Sequence, residues 1–148
     1  MFSQGAGGAL PVAAIARNAE MHFASRIALT VEAASGDFVA AYRAELELSE
    51  EQSRTGFSVR VRPTTPADVA LAVEAEQRGS AAGMSALAAR CPSVWVVEPD
   101  AGAAAWAIWE CCALLALTAL GPILPPDHST LLGVRSARAR ATRARVTQ

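Results

Sequence analysis

The chain has 148 residues, the size of one domain, with 52% apolar and 18% charged residues, a balance that excludes disorder and favours a well-filled core. Its net charge of −1 gives no overall field that would draw it to nucleic acid or to a membrane surface. Lysine is absent, since all thirteen cationic side chains are arginine, and this excludes Schiff-base chemistry, a phosphate-cradling P-loop and a low-pKa amine base.

The opening run Ser3-Gln4-Gly5-Ala6-Gly7-Gly8 is glycine-rich and predicts a loose lead-in over residues 1–9. From Leu10 to His22 the spacing of Val12, Ile15, Ala16 and Ala19 predicts a helix, with Pro11 where a first turn tolerates it. Strict alternation then begins. Ile27, Leu29, Val31 and Ala33 share one face of a strand over Arg26 to Ala33. After the turn Ala34 to Asp37, the strand Phe38 to Leu48 turns Tyr42, Ala44 and Leu46 to one side and Arg43, Glu45 and Glu47 to the other. A polar turn through Glu50 to Thr55 leads to Phe57, Val59 and Val61, which alternate with Ser58, Arg60 and Arg62. Three alternating runs on short connections predict an antiparallel meander with one wet face.

Thr65-Pro66-Ala67-Asp68 opens a helix that runs to Arg78 and stops at Gly79. A second helix is expected from Ser80 to Arg90, ended by Cys91-Pro92, and Val94 to Val97 reads as a short buried strand. Asp100 is the expected cap of the most apolar segment, Ala101 to Leu120, which closes at Gly121-Pro122. A last helix, capped by Asp127 or Ser129, passes into the arginines Arg135, Arg138, Arg140, Arg143 and Arg145. The expected fold is therefore α+β, a three-stranded antiparallel meander plus one further short strand, covered by four to five helices. It forms a single domain over 10–134, with 135–148 as an Arg-rich helical tail.

In topology the first half resembles a double-stranded-RNA-binding domain, yet Thr65 to Val73 has none of the positive charge such domains place there. Three strands followed by helix and strand also resemble ribonuclease-H-like folds, but Arg26 to Val31 lacks the central Asp that their metal site needs. Small helix–sheet secretion chaperones share the layout. None of these likenesses rests on a motif, so no residue role is carried over.

The chemistry-bearing residues are few. Cys91, Cys111, Cys112 and His128 lack the two close-spaced pairs of a structural zinc site, so buried small hydrophobes is the better reading of the thiols and no metal or other cofactor is expected. Cys91 with His128 is the one nucleophile–base pair worth testing, and Ser85 sits in a helical pattern where a serine elbow does not belong. Glu74, Glu76, Glu98 and Asp100 could meet at one sheet edge, which leaves a small carboxylate- or Cys/His-dependent hydrolase as an alternative. The odd cysteine count and the absence of a basic residue before Leu10 point to a reducing, cytoplasmic setting.

Two features are asymmetric. Ala101 to Leu120 meets the length of a membrane span, which makes a membrane-anchored protein a second alternative, but Glu110 at its centre and its many alanines favour a covered core helix. The last 21 residues carry five arginines and no acid; without interleaved aromatics they suit a solvated helix end, or an acidic protein surface, better than nucleic acid. The surplus of apolar side chains, Trp95, Trp106, Trp109, Leu114 and Leu117 with Glu110 among them, marks interface candidates. The reading as a whole is a non-catalytic interaction or regulatory domain, self-associating or part of a larger complex.

Overall fold

A computed structural model describes residues 1–5, 7–48 and 54–147. Its elements in chain order are β1 (Phe2–Ser3), α1 (Val12–Phe23), β2 (Ser25–Glu32), β3 (Ala40–Leu48), β4 (Arg54–Pro63), α2 (Pro66–Gly79), α3 (Met84–Ala89), β5 (Ser93–Pro99), α4 (Ala105–Ala119) and α5 (Val134–Val146). The five strands form one antiparallel sheet in the order β1-β5-β4-β3-β2. The turn expected through Glu50 to Thr55 lies largely outside the described residues.

The meander follows the alternation. Ile27, Leu46, Phe57, Val59 and Val61 point into the main core, where they meet Ile15, Ala19 and Phe23 of α1 and Leu114, Leu115 and Cys111 of α4. On β5 the period-2 rule divides the residues: Trp95 and Val97 join this core, while Val94 and Val96 face a second cluster with Phe2, Ala72, Ala75, Ala88 and Leu131. The helices α2 and α3 thus cover only the β5 corner of the opposite sheet face. The rest of that face carries Arg43, Arg60 and their acidic partners.

The sheet has five strands, one more than the meander and short strand expected from the sequence. Residues 1–9 begin with Phe2-Ser3 paired to Val94 and Ser93, and Phe2 is 2% exposed. Glycine at 5, 7 and 8 masked a two-residue strand too short to show periodicity. Hydrogen bonds hold it on both sides: the Phe2 amide donates to Pro122, the Gln4 amide to Ala119 and the Trp95 amide to Met1. Gly121 permits this approach, because a Cβ there would stand 2.2 Å from the Phe2 carbonyl oxygen.

Helix starts differ from expectation where a better partner exists. Thr65 and Asp68 form the full capping box of α2, as the motif predicts. Asp100 does not cap α4; its carboxylate accepts from both terminal nitrogens of the Arg43 guanidinium, and α4 begins five residues later, at Ala105, behind a turn with Gly102 at φ 82°. Neither Asp127 nor Ser129 caps α5. Asp127 instead accepts from the Ser129 amide in a local turn, and Ile123 bridges Leu132 before the helix opens at Val134. Likewise α3 starts at Met84 and not at Ser80, since the Glu76 carboxylate accepts the Gly83 and Ser85 amides. The Arg-rich segment is no separate tail: Ala137 and Ala141 bury α5 against α4. Among the described residues no helix is long and apolar enough to cross a membrane.

Candidate functional site

A groove of about 510 Å³ opens beside β5. One wall is the strand itself from Trp95 to Pro99. The other is Ile108, Trp109 and Cys112, brought to one side of α4 by their spacing, and the loop Ile123 to Pro126 closes the end. The stiff Pro122 and Pro125-Pro126 peptides set that loop.

The backbone in this groove is incompletely used. The Asp100 amide donates to Gly56 of β4, and the Trp95 amide donates to Met1, just before β1. Because alternate residues of a strand bond to opposite sides, even-numbered residues of β5 serve β4 and odd-numbered ones face outward. The short β1 reaches only as far as Trp95. The amide and carbonyl of Val97 therefore point into the groove with no strand partner among the described residues.

At the base of the groove Arg62 donates to both oxygens of Asp68, at 2.6 and 2.7 Å, and Asp68 also accepts from the Thr65 amide and hydroxyl, both at 2.8 Å. The guanidinium and these donors hold the Asp68 carboxyl at about 2, against an ordinary 3.8. This pair is a fixed structural element of the floor.

The residues weighed for catalysis each have other employment. Cys112 lines the groove, but burial pushes its thiol up to about 11; burial also raises Cys91 and, further, Cys111. Cys91 sits in the second cluster and donates to the Leu87 carbonyl at 3.3 Å, whereas His128 lies at the groove rim, so the structure sets Cys112 and not Cys91 in the same cavity as His128. The four carboxylates have separate partners. Glu74 pairs with Arg78, Glu76 caps α3, Glu98 pairs with Arg60 at 2.6 Å and Asp100 pairs with Arg43. Ser85 is inside α3. Among the described residues no three His, Cys, Asp or Glu side chains are grouped to hold a metal ion.

The apolar surplus of α4 and β5 is largely consumed within the chain. Trp95, Trp106 and Leu114 are buried in the core, while Trp109 and Leu117 remain partly exposed. The arginines of α5 lie along α4 and α1: Arg145 stacks on Trp106, Arg140 on Trp109 and Arg138 on Phe23, each with ring centroids 4.7–4.9 Å away. Arg135 and Arg143 are exposed. The sign of this docking in the sequence is the small-residue stripe Ala137, Ala141 and Ala144, whose spacing gives α5 a face that approaches α4 closely. Ile108, Cys112, Leu124 and the Val97 backbone went unmarked in the sequence because their role depends on which strand ends first.

Glu110 is buried on α4, where desolvation raises its carboxyl and Arg145 and Arg138 partly oppose that rise. A carboxyl with a raised folded-state pKa favours the fold when protonated and loses that contribution as pH climbs through the folded value. Glu110→Gln is therefore expected to stabilise the protein at neutral pH, on the order of 1 kcal/mol, and to flatten this part of the pH profile. Thermal melts of both proteins across the mildly acidic to neutral range check it; an unchanged or lower midpoint at neutral pH would mean the arginines fully compensate the charge.

With the groove, its unpaired strand edge and its reinforced floor defined, no protein-family model, no curated protein and no solved structure matches the chain.

Proposed function

We propose that this chain is a non-catalytic protein-interaction module that takes an extended apolar segment of a partner protein into the groove beside β5. The observation that carries this reading is the unpaired Val97 backbone, facing a cavity walled by Ile108, Trp109 and Leu124. A segment lying antiparallel to β5 alongside Val97 would supply the missing hydrogen bonds, and every second side chain would rest on the Trp109 wall. The protonated thiols and the ion-paired carboxylates support binding over turnover. Trp109, held from behind by Arg140, offers the partly exposed aromatic anchor from which such sites draw much of their affinity.

The test uses a displayed library of decapeptides panned on the intact chain. Enriched sequences are expected to alternate apolar residues with polar ones. Val97→Pro removes the outward amide at a position where an edge strand tolerates proline, and Trp109→Ala removes the anchor; each is expected to weaken the selected peptides by about tenfold or more. Circular dichroism and melting curves establish that both variants remain folded. Failure to enrich any peptide, or peptides indifferent to both substitutions, would overturn the proposal.

A further inference from the structure

The opposite edge of the sheet has a different character. Its strand β2 is eight residues long and ends the sheet, with no proline and no inward-pointing charge; its only charges, Arg26 and Glu32, are of opposite sign and lie on the polar face. The other sheet edge is closed in part by the two-residue β1. Along β2 the core-side residue Leu29 is only partly buried, and Val31 is 74% exposed. A groove of about 350 Å³ at the start of the strand is lined by Arg26, Ile27 and Ala28 with Ala16 and Glu20 of α1 and Glu45, Glu47 and Arg54 of β3 and β4, while Ala28, Thr30, Val31 and Glu32 along the strand are exposed. Arg26 and Glu32, at the two ends of the strand on its polar face, are exposed and make no ion pair within the described residues.

Symmetry then restricts what the edge can bind. Two copies of one strand paired about a dyad run antiparallel, and the dyad must pass through a residue pair, because hydrogen-bonded and non-hydrogen-bonded pairs alternate and cannot be exchanged by symmetry. The central registers of β2 are therefore those centred on Ala28, Leu29 or Thr30. Centred on Ala28, Arg26 faces Thr30 and Glu32 runs off the strand. Centred on Thr30, Glu32 faces Ala28 and Arg26 is left without a partner. Centred on Leu29, Arg26 of each copy faces Glu32 of the other, Ile27 faces Val31, Leu29 faces itself and Ala28 faces Thr30. Charge meets opposite charge on the wet face, and the exposed valine meets an isoleucine on the apolar face. Of the three registers, this one alone pairs both charges.

We infer that a second copy of this chain docks on β2, two-fold and antiparallel with Leu29 at the axis, to join two five-stranded sheets into one of ten strands. The dimer places the two β5 grooves at its far ends, so a partner carrying two suitable segments would bind with an effective-concentration advantage. The pairing itself does not depend on what those grooves bind.

Charge reversal at two exposed positions tests the register directly. By sedimentation equilibrium, the unaltered chain is expected to dimerise. Arg26→Glu sets a carboxylate against Glu32 of the other copy at both ends, and Glu32→Arg sets a guanidinium against Arg26 in the same way; each is expected to weaken the dimer by about tenfold or more. The double exchange Arg26→Glu with Glu32→Arg restores opposite charges and is expected to restore dimerisation. The sharpest result comes from mixing the two single variants, which are complementary only to one another and should form a heterodimer. Far-UV circular dichroism controls for folding. A monomeric unaltered chain, a dimer unaffected by either single change, or single variants that do not combine when mixed would each overturn the inference.

Discussion

Phe2→Ala is expected to destabilise the fold by about 3–4 kcal/mol, among the largest effects any single substitution here can have. The ring is 2% exposed and packs in the second cluster with Ala72, Ala75, Ala88, Val94 and Leu131. Most of those neighbours are small and sit on helices fixed elsewhere, so they cannot close over the space the ring leaves. The cavity term therefore adds to the lost burial. For a domain of this size the total is a large share of the usual 5–15 kcal/mol margin. Denaturant unfolding is the measurement: the midpoint should fall with little change in slope. A loss under about 1 kcal/mol would show that β1 is not docked in solution. Gly121→Ala approaches the same contact from the other side, since its methyl would press on the Phe2 carbonyl. If both act by detaching β1, the double variant should lose much less than the sum of the single losses.

That strand also marks the limit of what the sequence discloses. The meander was legible because Arg26 to Arg62 repeats the same two-residue period three times, and only a sheet with one wet face satisfies it. The capping box of α2 was legible because Thr65, Pro66 and Asp68 each act within one turn. Phe2-Ser3 contributes two residues, too few for a period, and its burial depends on Gly121, 119 positions away. Asp100 failed as a cap for a similar reason. Its local role competed with Arg43, which register brings alongside, and a two-point pair to a guanidinium outweighs a single capping bond. The candidate groove was hidden more completely. Trp109 was conspicuous, but the Val97 backbone, which has no strand partner among the described residues, is announced by no side chain. In the arginine segment the charges dominate the pattern and suggest a solvated helical tail, whereas the alanines between them, Ala137 and Ala141, decide its place against α4.

Asp68→Asn is expected to cost roughly 2–3 kcal/mol at neutral pH and to make the acid limb of the stability profile shallower. The carboxylate, with its side chain 13% exposed, accepts from Arg62 through both oxygens and completes the reciprocal cap of α2. An amide can keep one acceptor, but it turns an NH₂ group toward the Arg62 guanidinium and leaves that cation half-buried without its counter-charge. The pH dependence fixes the cause. A carboxyl held at about 2 when folded and near 3.8 when unfolded stabilises the protein fully above the higher value, and that contribution disappears as pH falls through the lower. Asp68 should therefore contribute a loss of about 2 kcal/mol across this window, and Asp68→Asn should show an acid limb shallower by that amount, with Asp100, Glu76 and Asp127 still titrating there. Glu110 works in the opposite sense at higher pH, because its raised carboxyl favours the protonated fold. The two carboxyls thus act in opposite senses: Asp68 favours the fold as the carboxylate and Glu110 as the acid. If Asp68→Asn lowers stability equally at every pH, neither the Arg62 pair nor the Thr65 donors favour the ionised carboxylate, and the loss belongs to packing of the side chain.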